Sequence, residues 1–448
     1  MKIQFLGATR EVTGSSYLVA NSKNHTVLVD CGLFQRSVIF EKKNFGLFDF
    51  NPQELDAVVV THSHIDHIGR LPKLIKDGYN GKIYLTPPTF DLAGLMLEDS
   101  LGLMEDEFHH FKTPILFTEH DVIRMLGQCS TVDYKKSFSP APGFTVTFFN
   151  AGHILGSAFI LIEADGKSVI FSGDLGNTPV PLLKRISDPP RANYVVSEST
   201  YGSVLHETKP VRNQGLKEAI NFVAQGRGTL IIPSFALERT QEVLYELNTL
   251  FEKKLVPQMP VYLDSPLANK VTKVFKKYIS KYFNQRALET LMWDEDFFSF
   301  PGFSVSETAE ESKLINQVLG PKVVIAGSGM MTGGRVLHHA KRYLNNPESM
   351  LLFVGYQVNS SLGRKILNGA KKVIIHNEFV NIRARVKALG AWSDHADSAQ
   401  ILKFILTAKP SAVFLTHGEL KQMKGLGNSL EQQGIKVAIP KIRESFEL

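Results

Sequence analysis

Three histidines and one aspartate occur within six consecutive residues, a density of metal-binding side chains that an ordinary polar turn seldom carries. These residues, His62, His64, Asp66 and His67, directly follow the apolar run 57–60. His62 and His64 are two positions apart, so on an extended chain both project to the same side and can share one ion. Asp66 and His67 begin a segment with apolar residues at helical spacing, where the helix dipole favours a carboxylate. The pattern predicts a metal site where a strand turns into a helix.

Other candidate ligands follow predicted strands elsewhere in the chain. Asp30 follows 26–29, His153 follows 144–149 after a short turn, Asp174 follows 168–171 after a short turn, and His417 follows 412–415. Polar groups at the ends of neighbouring strands converge along one rim of a sheet, so distant parts of a sequence can supply one site.

Apart from Asp30, these positions provide five histidines and two aspartates, which divide naturally between two adjacent ions. Nitrogen and carboxylate oxygen without thiolate is the ligand set of a catalytic zinc site, and it also suits manganese or iron. Asp30 has two interpretations. It either orients a ligating histidine or is a turn carboxylate before Gly32.

The composition is that of an ordinary soluble protein of 448 residues, long enough for two or three domains. Its only cysteines, Cys31 and Cys129, are far apart, which argues against a disulfide framework and favours a reducing compartment. The first residues predict a strand, and no apolar run is long enough to span a membrane. We therefore expect a cytoplasmic protein without a membrane partner, and its net charge of +6 is compatible with an anionic substrate.

The elements that must position these residues fall into two groups. Residues 1–205 read as short strands separated by turns, and we expect 390–448 to return to the same domain. Residues 206–389 alternate strands with helices and predict an inserted domain with a doubly wound, largely parallel sheet. Its expected strands are 229–233, 261–263, 322–326, 350–354 and 373–375.

The segment from His62 to His67 resembles the HxHxDH signature of the metallo-β-lactamase fold. Further motifs resemble the β-CASP nucleases, RNA-processing relatives of ribonuclease J and of the pre-mRNA 3′-end cleavage endonuclease. They lie at 197–202, 233–241, 264–266, 327–331, 393–397 and 416–419. The resemblance covers essentially the whole chain. It implies an α/β fold in which an αββα sandwich carries an inserted β-CASP domain built on a largely parallel α/β sheet.

This resemblance also assigns the metal ligands. It implies that one zinc is held by His62, His64 and His153, that a second is held by Asp66, His67 and His417, and that Asp174 bridges the two. Asp30, Asp66 and Asp174 are then also expected among the catalytic residues. Such a pair of ions presents hydroxide for in-line attack on a phosphodiester, leaving a 5′-phosphate and a 3′-hydroxyl.

Three residues match family motifs that concern catalysis and substrate. Glu198 matches motif A, His395 motif B and His417 motif C. The resemblance implies that His395 is the general acid and that Glu198 orients its imidazole. A histidine in motif C is typical of the RNA-directed members. We expect a ribonuclease that acts on single-stranded RNA, with RNA-processing proteins as further partners. The alternatives are a DNA-processing nuclease and a non-catalytic RNA-binding or scaffold relative. No feature of the sequence indicates an oligomeric state.

Candidate RNA contacts lie in the inserted domain. The stretch 269–286 has six basic residues and no acidic one, and Lys273 and Lys277 are the predicted phosphate contacts, although a packed helix with solvated lysines is the alternative. Ser328 and Gly329 follow a predicted strand in a glycine-rich loop that can bind phosphate. The matched motifs add Arg239 and Arg364.

The chain departs from the family pattern at Asp394, at Glu238 and at Ser360–Ser361, which occupy a Gly-Thr-like position. Asp394 precedes His395 where a small residue is usual, and Glu238 stands before Arg239 where glycine is common. One hypothesis is that Asp394 raises the pKa of His395 and that Glu238 weakens RNA contact.

Overall fold

Two seven-stranded sheets form the frame of the first of two compact units in this computed structural model. The structure describes residues 1–35, 42–206, 209–292, 294, 296–358, 360–389 and 393–448, with only the backbone of 209–212. The first unit comprises Met1–Val180, Lys184–Leu205 and His395–Leu448, and the second comprises Pro181–Leu183 and His206–Asp394. The boundary expected at residue 390 lies outside the described residues.

The N-terminal part of the first unit supplies the strands β1 to β11 and the helices α1 to α4. The strands are β1 (Lys2–Phe5), β2 (Tyr17–Ala20), β3 (Thr26–Val29), β4 (Ala57–Val59), β5 (Lys82–Leu85), β6 (Cys129–Thr131), β7 (Ser137–Phe138), β8 (Thr145–Asn150), β9 (Ala158–Ala164), β10 (Lys167–Phe171) and β11 (Tyr194–Ser197). The helices are α1 (Ile65–Ile68), α2 (Leu71–Lys76), α3 (Pro87–Phe111) and α4 (Glu119–Gln128), and short 3-10 turns occupy Lys42–Phe45 and Pro52–Glu54.

The second unit alternates strands and helices. Its helices are α5 (Lys209–Gly226), α6 (Arg239–Glu252), α7 (Pro266–Tyr282), α8 (Gln285–Thr290), α9 (Ala309–Leu314), α10 (Val336–Tyr343) and α11 (Leu362–Leu367), with a 3-10 turn at Ile315–Gln317. Its strands are β12 (Thr229–Pro233), β13 (Val261–Asp264), β14 (Phe303–Val305), β15 (Lys322–Ala326), β16 (Met350–Phe353), β17 (Lys372–Ile375), β18 (Glu378–Asn381) and β19 (Arg385–Ala388).

The C-terminal segment completes both sheets of the first unit. It contributes α12 (Ser398–Ala408), β20 (Ala412–Leu415), α13 (Leu420–Glu431), β21 (Lys436–Ala438) and β22 (Ser445–Glu447). One sheet has the order β22-β1-β2-β3-β4-β5-β6, and the other has the order β21-β20-β11-β10-β9-β8-β7. Strands β20 and β21 pair in parallel beside β11, and β22 pairs antiparallel with β1.

Apolar side chains hold the first unit together in layers. Between the sheets, residues such as Val29 and Val59 of one sheet pack with Phe148 and Ile160 of the other. The opposite face of the first sheet is covered by α1 to α4, and that of the second sheet by α12 and α13. The predicted αββα sandwich is confirmed. Among the described helices, none combines the length and apolar character that a bilayer crossing requires.

The main sheet of the second unit is parallel throughout, in the order β14-β13-β15-β12-β16-β19. Strands β12, β15 and β16 are buried along their whole length, as expected for a parallel sheet covered on both faces. The predicted strand at 373–375 is present as β17, but its expected place in the parallel sheet was wrong, because β17 forms a separate antiparallel hairpin with β18. Its alternating buried and exposed side chains suit a sheet with one solvated face.

Candidate active site

The strand-to-helix junction after β4 has the predicted local geometry. His62 follows the strand by three residues and is buried, and His64 is the N-cap of α1 with extended backbone angles, φ −65° and ψ 146°. The two side chains therefore lie on the same side of the chain. Nε2 of His62 is 3.2 Å from Nδ1 of His64.

Two distant residues join this histidine pair. Nε2 of His153 lies 3.2 Å from Nδ1 of His64. Oδ2 of Asp174 lies 3.5 Å from Nε2 of His62 and 3.6 Å from Nε2 of His153. The structure thus brings together four side chains from β4–α1, from the loop after β8 and from the loop after β10, each with one donor atom facing the same point.

The spacing of these donor atoms suits a metal ion. A zinc ion with Zn–N distances of about 2.0–2.1 Å in tetrahedral geometry separates its ligand atoms by about 3.3–3.4 Å. The four separations of 3.2, 3.2, 3.5 and 3.6 Å bracket that value. The residues present therefore fit a divalent ion.

A second group lies beside the first. Nε2 of His417 is 3.2 Å from Oδ2 of Asp66, and Nε2 of His67 is 4.0 Å from the same oxygen. Oδ1 of Asp174 is 3.4 Å from Nε2 of His67 and 3.4 Å from Nδ1 of His417. The two carboxylate oxygens of Asp174 thus face different groups, and Oδ1 is buried without a hydrogen bond to any described residue.

Asp30 orients the His67 imidazole. Its Oδ2 lies 2.7 Å from Nδ1 of His67, and the backbone N–H and hydroxyl of Thr61 each donate to the Asp30 carboxylate at 2.8 Å. Because Nδ1–H of His67 donates to Asp30, Nε2 is the atom that faces Asp174 and Asp66. The structure thus favours the orienting interpretation of Asp30 over that of a turn carboxylate.

The electrostatics of the first group suit metal binding. Burial lowers the pKa of His62 to about 3 and holds the pKa of His64 and His153 below their usual value. These imidazoles are therefore neutral at neutral pH, the protonation state that a metal ligand needs. Asp174 is buried as well, yet the positive charge of surrounding histidines such as His417 and His67 holds its pKa well below the usual range.

His395 and Glu198 form a third group at the edge of the site. Nδ1 of the half-buried His395 lies 3.2 Å from Oε2 of the buried Glu198, and its Nε2 lies 4.0 Å from Oδ2 of Asp174. The Glu198 carboxylate also accepts the backbone N–H of Leu175. This hydrogen bond fixes Glu198, and Glu198 in turn orients His395 so that its Nε2 faces Asp174.

Two threonines near the cluster escaped the sequence analysis. Thr61 anchors Asp30, and Oγ1 of Thr200 lies 3.2 Å from Nδ1 of His417. The only available signal was position, since Thr61 directly precedes His62 and Thr200 lies in the matched motif at 197–202. Threonine has too many structural roles for that position alone to indicate a site.

The predicted RNA contacts lie in the second unit and differ in accessibility. Lys273 is exposed on α7 and lies 3.5 Å from Glu307, while Nζ of Lys277 lies 5.2 Å from the Tyr278 ring centroid. Ser328 and Gly329 follow β15, where the Ser328 hydroxyl accepts the backbone N–H of Thr332 at 3.0 Å. Nε of Arg364 donates to the Gln357 carbonyl at 2.8 Å.

Arg239 differs from the other predicted RNA contacts. Its side chain is only 2% exposed, with Nη1 2.6 Å from Glu242 and Nη2 2.5 Å from Asp394. A guanidinium buried between two carboxylates is not presented to a phosphate. The structure therefore gives Arg239 an ion-pairing position in place of the predicted RNA contact. It also shows Asp394 paired with Arg239.

Three family profiles match successive parts of the chain. Residues 9–132 match the metallo-beta-lactamase superfamily, 240–366 match the Beta-Casp domain, and 380–440 match the Zn-dependent metallo-hydrolase RNA specificity domain. These matches fall on the αββα frame, on the parallel-sheet unit and on the C-terminal segment that contributes His395 and His417.

Several characterised proteins are similar over nearly the whole chain. Ribonuclease TTHA0252 of Thermus thermophilus is 38% identical, covering 99% of this chain and 99% of its own. Transcription termination factor FttA of Methanothermobacter thermautotrophicus is 32% identical, covering 96% of this chain and 69% of its own. Integrator complex subunit 11 of Danio rerio is 28% identical, covering 97% of this chain and 71% of its own. The solved structure of a protein of unknown function from Enterococcus faecalis V583 shares the fold, with a TM-score of 0.59 at 11% sequence identity. The match covers 100% of this chain and 99% of that one.

Proposed function

The chain belongs to the β-CASP family of the metallo-β-lactamase superfamily, and we propose that it is a metal-dependent ribonuclease that hydrolyses phosphodiester bonds of single-stranded RNA. The products expected are a 5′-phosphate and a 3′-hydroxyl. The observation that carries the proposal is the convergence of two groups of metal-binding side chains on Asp174, with the His395–Glu198 pair beside them.

We assign the residues of the two groups as metal ligands. His62, His64 and His153 would hold one divalent ion, Asp66, His67 and His417 would hold the other, and Asp174 would contribute one oxygen to each. Zinc is the ion we propose, because this set of imidazoles and carboxylates is typical of catalytic zinc sites. When bound, the ions supply Lewis acidity toward the phosphodiester and activate water at neutral pH.

His395 is assigned the proton transfer to the leaving group. Its Nδ1–H donates to Glu198, so the proton on Nε2 is available to the departing 3′ oxygen. Glu198 is a positioning residue, since it fixes the ring and stabilises the imidazolium before transfer. Asp30 positions His67 in the same way.

RNA is favoured over DNA as the substrate by two observations. One match that extends along 99% of both chains is to a protein named as a ribonuclease. His417 occupies the position where RNA-directed members of the family carry histidine. We further propose that RNA-processing proteins are partners and that the protein works in the cytoplasm, where its free thiols Cys31 and Cys129 would stay reduced.

Cleavage of end-labelled oligonucleotides tests the function. Single-stranded RNA labelled at the 5′ end or at the 3′ end, and the DNA analogue, are incubated with zinc- or manganese-loaded wild type and with His395→Ala. We expect wild type to cut RNA in preference to DNA, and the variant to lose about 10²–10⁴-fold in rate while retaining its metal. The two labels separate internal cutting from stepwise trimming.

Metal content measured on the same preparations serves as the control. Inert wild type with two bound ions would overturn the ribonuclease assignment in favour of a non-catalytic RNA-binding relative. Equal cutting of DNA would favour the DNA-processing alternative.

A further inference from the structure

Two aromatic side chains lie exposed where strands of the parallel sheet end. Phe235 follows β12 by two residues and is 38% exposed, and Tyr356 follows β16 by three residues and is 53% exposed. The two strands are parallel neighbours, so these residues leave the same edge of the sheet. Ligands of open α/β sheets bind at this carboxyl edge.

The Phe235 ring packs closely on the backbone of two glycines. A Cβ atom at Gly329 would lie 2.8 Å from Cδ2 of the ring, and one at Gly355 would lie 3.1 Å from Cε2. The buried Gln357 ties these two loops together, because its Nε2 donates to the carbonyl of Gly329 at 2.8 Å and to that of Gly355 at 3.2 Å. One side of the ring is therefore packed on a fixed surface, and the remainder faces solvent.

The Tyr356 ring is paired with a cation. The guanidinium carbon of Arg364 lies 5.5 Å from the ring centroid, and Nε of Arg364 donates to the carbonyl of Gln357. Within the described part of the chain, no group accepts a hydrogen bond from the two terminal nitrogens of Arg364. This side chain is therefore held beside the ring with two donor groups still available, as a phosphate contact requires.

We infer that Phe235 and Tyr356 form a stacking surface for the bases of single-stranded RNA, with Arg364 contacting the adjoining phosphate. This inference rests on the proposed function for the choice of RNA. Exposed aromatic rings at a binding edge stack on unpaired bases with about 1–3 kcal/mol per base, whatever the sequence. Paired bases in a duplex do not offer these faces, so the occupant is a single strand.

Binding of two matched oligonucleotides tests the stacking surface in the full-length protein. One is a fluorescein-labelled ten-residue oligouridylate, and the other has the same ribose-phosphate backbone without bases. EDTA is present so that no metal-dependent cleavage occurs. We expect Phe235→Ala and Tyr356→Ala each to weaken oligouridylate binding by about 5–150-fold, corresponding to one lost stack. Binding of the base-free oligonucleotide should change less than about twofold.

Further variants separate stacking from misfolding and from charge. Tyr356→Phe keeps a ring and should bind as wild type does, whereas Arg364→Ala should weaken both oligonucleotides and reduce the dependence of affinity on salt. Phe379→Ala removes another ring, 70% exposed on the β17–β18 hairpin, and should have no effect. An unfolded variant would lose both ligands equally.

Two results would overturn the inference. One is unchanged oligouridylate affinity in both alanine variants, and the other is an equal loss for the oligonucleotide without bases. Cleavage by metal-loaded wild type is scored separately. Base-dependent binding without cleavage would reject the proposed function and retain the stacking surface. Cleavage without base-dependent binding would reject the stacking surface and retain the proposed function.

Discussion

Oδ2 of Asp30 lies 2.7 Å from Nδ1 of His67, and this contact sets which nitrogen of His67 faces the metal-binding cluster. Both residues are buried, and Thr61 also holds the carboxylate, with one hydrogen bond of 2.8 Å to each of its oxygens. The orientation of His67 therefore depends on a residue that directly follows β3, 37 positions away in the chain.

Replacing Asp30 with asparagine should weaken metal binding at the group of Asp66, His67 and His417. The amide is nearly isosteric and can still accept from Thr61, but it no longer stabilises Nδ1–H of His67 with a negative charge. Loss of such an orienting carboxylate lowers metal affinity about 10–100-fold. Zinc affinity is measured by competition with a fluorescent chelator, with the exposed Asp188→Asn as control. Unchanged affinity for both ions would refute the orienting role.

The role of His395 predicts a dependence on the leaving group. A 3′ alkoxide needs a proton as it departs, whereas p-nitrophenolate does not. His395→Ala should therefore lose about 10²–10⁴-fold on RNA and less than about tenfold on the p-nitrophenyl ester of uridine 5′-phosphate. His110→Ala, an exposed histidine on α3, is the matched control. Equal losses on both substrates would indicate that His395 acts in binding or in metal retention.

Local spacing was sufficient to predict the core of the site. The candidate ligands between His62 and His67 are close together in the chain, and the convergence of Asp174 and His417 with them follows from the rule that strand ends meet at one rim. The αββα frame and the parallel sheet followed from matched motifs and from alternating elements. Their assignment needed no knowledge of side-chain packing.

Residues whose role depends on distant partners were not predictable. Arg239 lies in a matched motif, yet its burial depends partly on Asp394, which is 155 positions away. Strand β17 reads as apolar in sequence, but its pairing with β18 alone is decided by the turn between them. No local pattern indicates the distant partner of Arg239, and the apolar character of β17 does not by itself distinguish a hairpin strand from a strand of the parallel sheet.

From the backbone conformation at Glu238 we expect two substitutions at this position to differ in stability. Its backbone has φ 64° and ψ −58°, and the N–H of Arg239 donates to the carbonyl of Leu237 at 2.9 Å, which defines a strained γ-turn. Because Glu238 is buried, direct repulsion of RNA is not its role. Glycine and alanine both remove the carboxylate, but only glycine is unstrained at positive φ. Glu238→Gly should therefore be more stable than Glu238→Ala by about 1 kcal/mol in urea denaturation. Equal stability would show that the turn relaxes in the alanine variant.

Asp264 predicts how the stability of the second unit depends on pH. Its buried carboxylate contacts Nε2 of His339 at 2.6 Å, Nη1 of Arg335 at 2.8 Å and Oγ of Ser312 at 2.6 Å. Burial alone would raise the pKa of Asp264, but these partners hold it below its usual value. A carboxylate whose pKa is lower in the folded state than its unfolded value of about 4 stabilises the fold at pH values above about 4. The contribution disappears as the pH falls through the folded value.

Asp264→Asn should therefore lower the free energy of unfolding of the second unit by about 3 kcal/mol at pH 7, because the guanidinium of Arg335 loses its buried counter-charge. The difference from wild type should shrink as the pH falls below about 4. Urea denaturation between pH 3 and pH 7 measures both quantities. Asp296→Asn is the control, since it removes the half-buried charge that pairs with Lys276 while the amide oxygen can still accept the backbone N–H of Phe298, and it should stay within about 1 kcal/mol of wild type. An equal deficit at pH 3 and pH 7 would contradict a lowered pKa and would indicate that Asp264 stabilises the fold through packing alone.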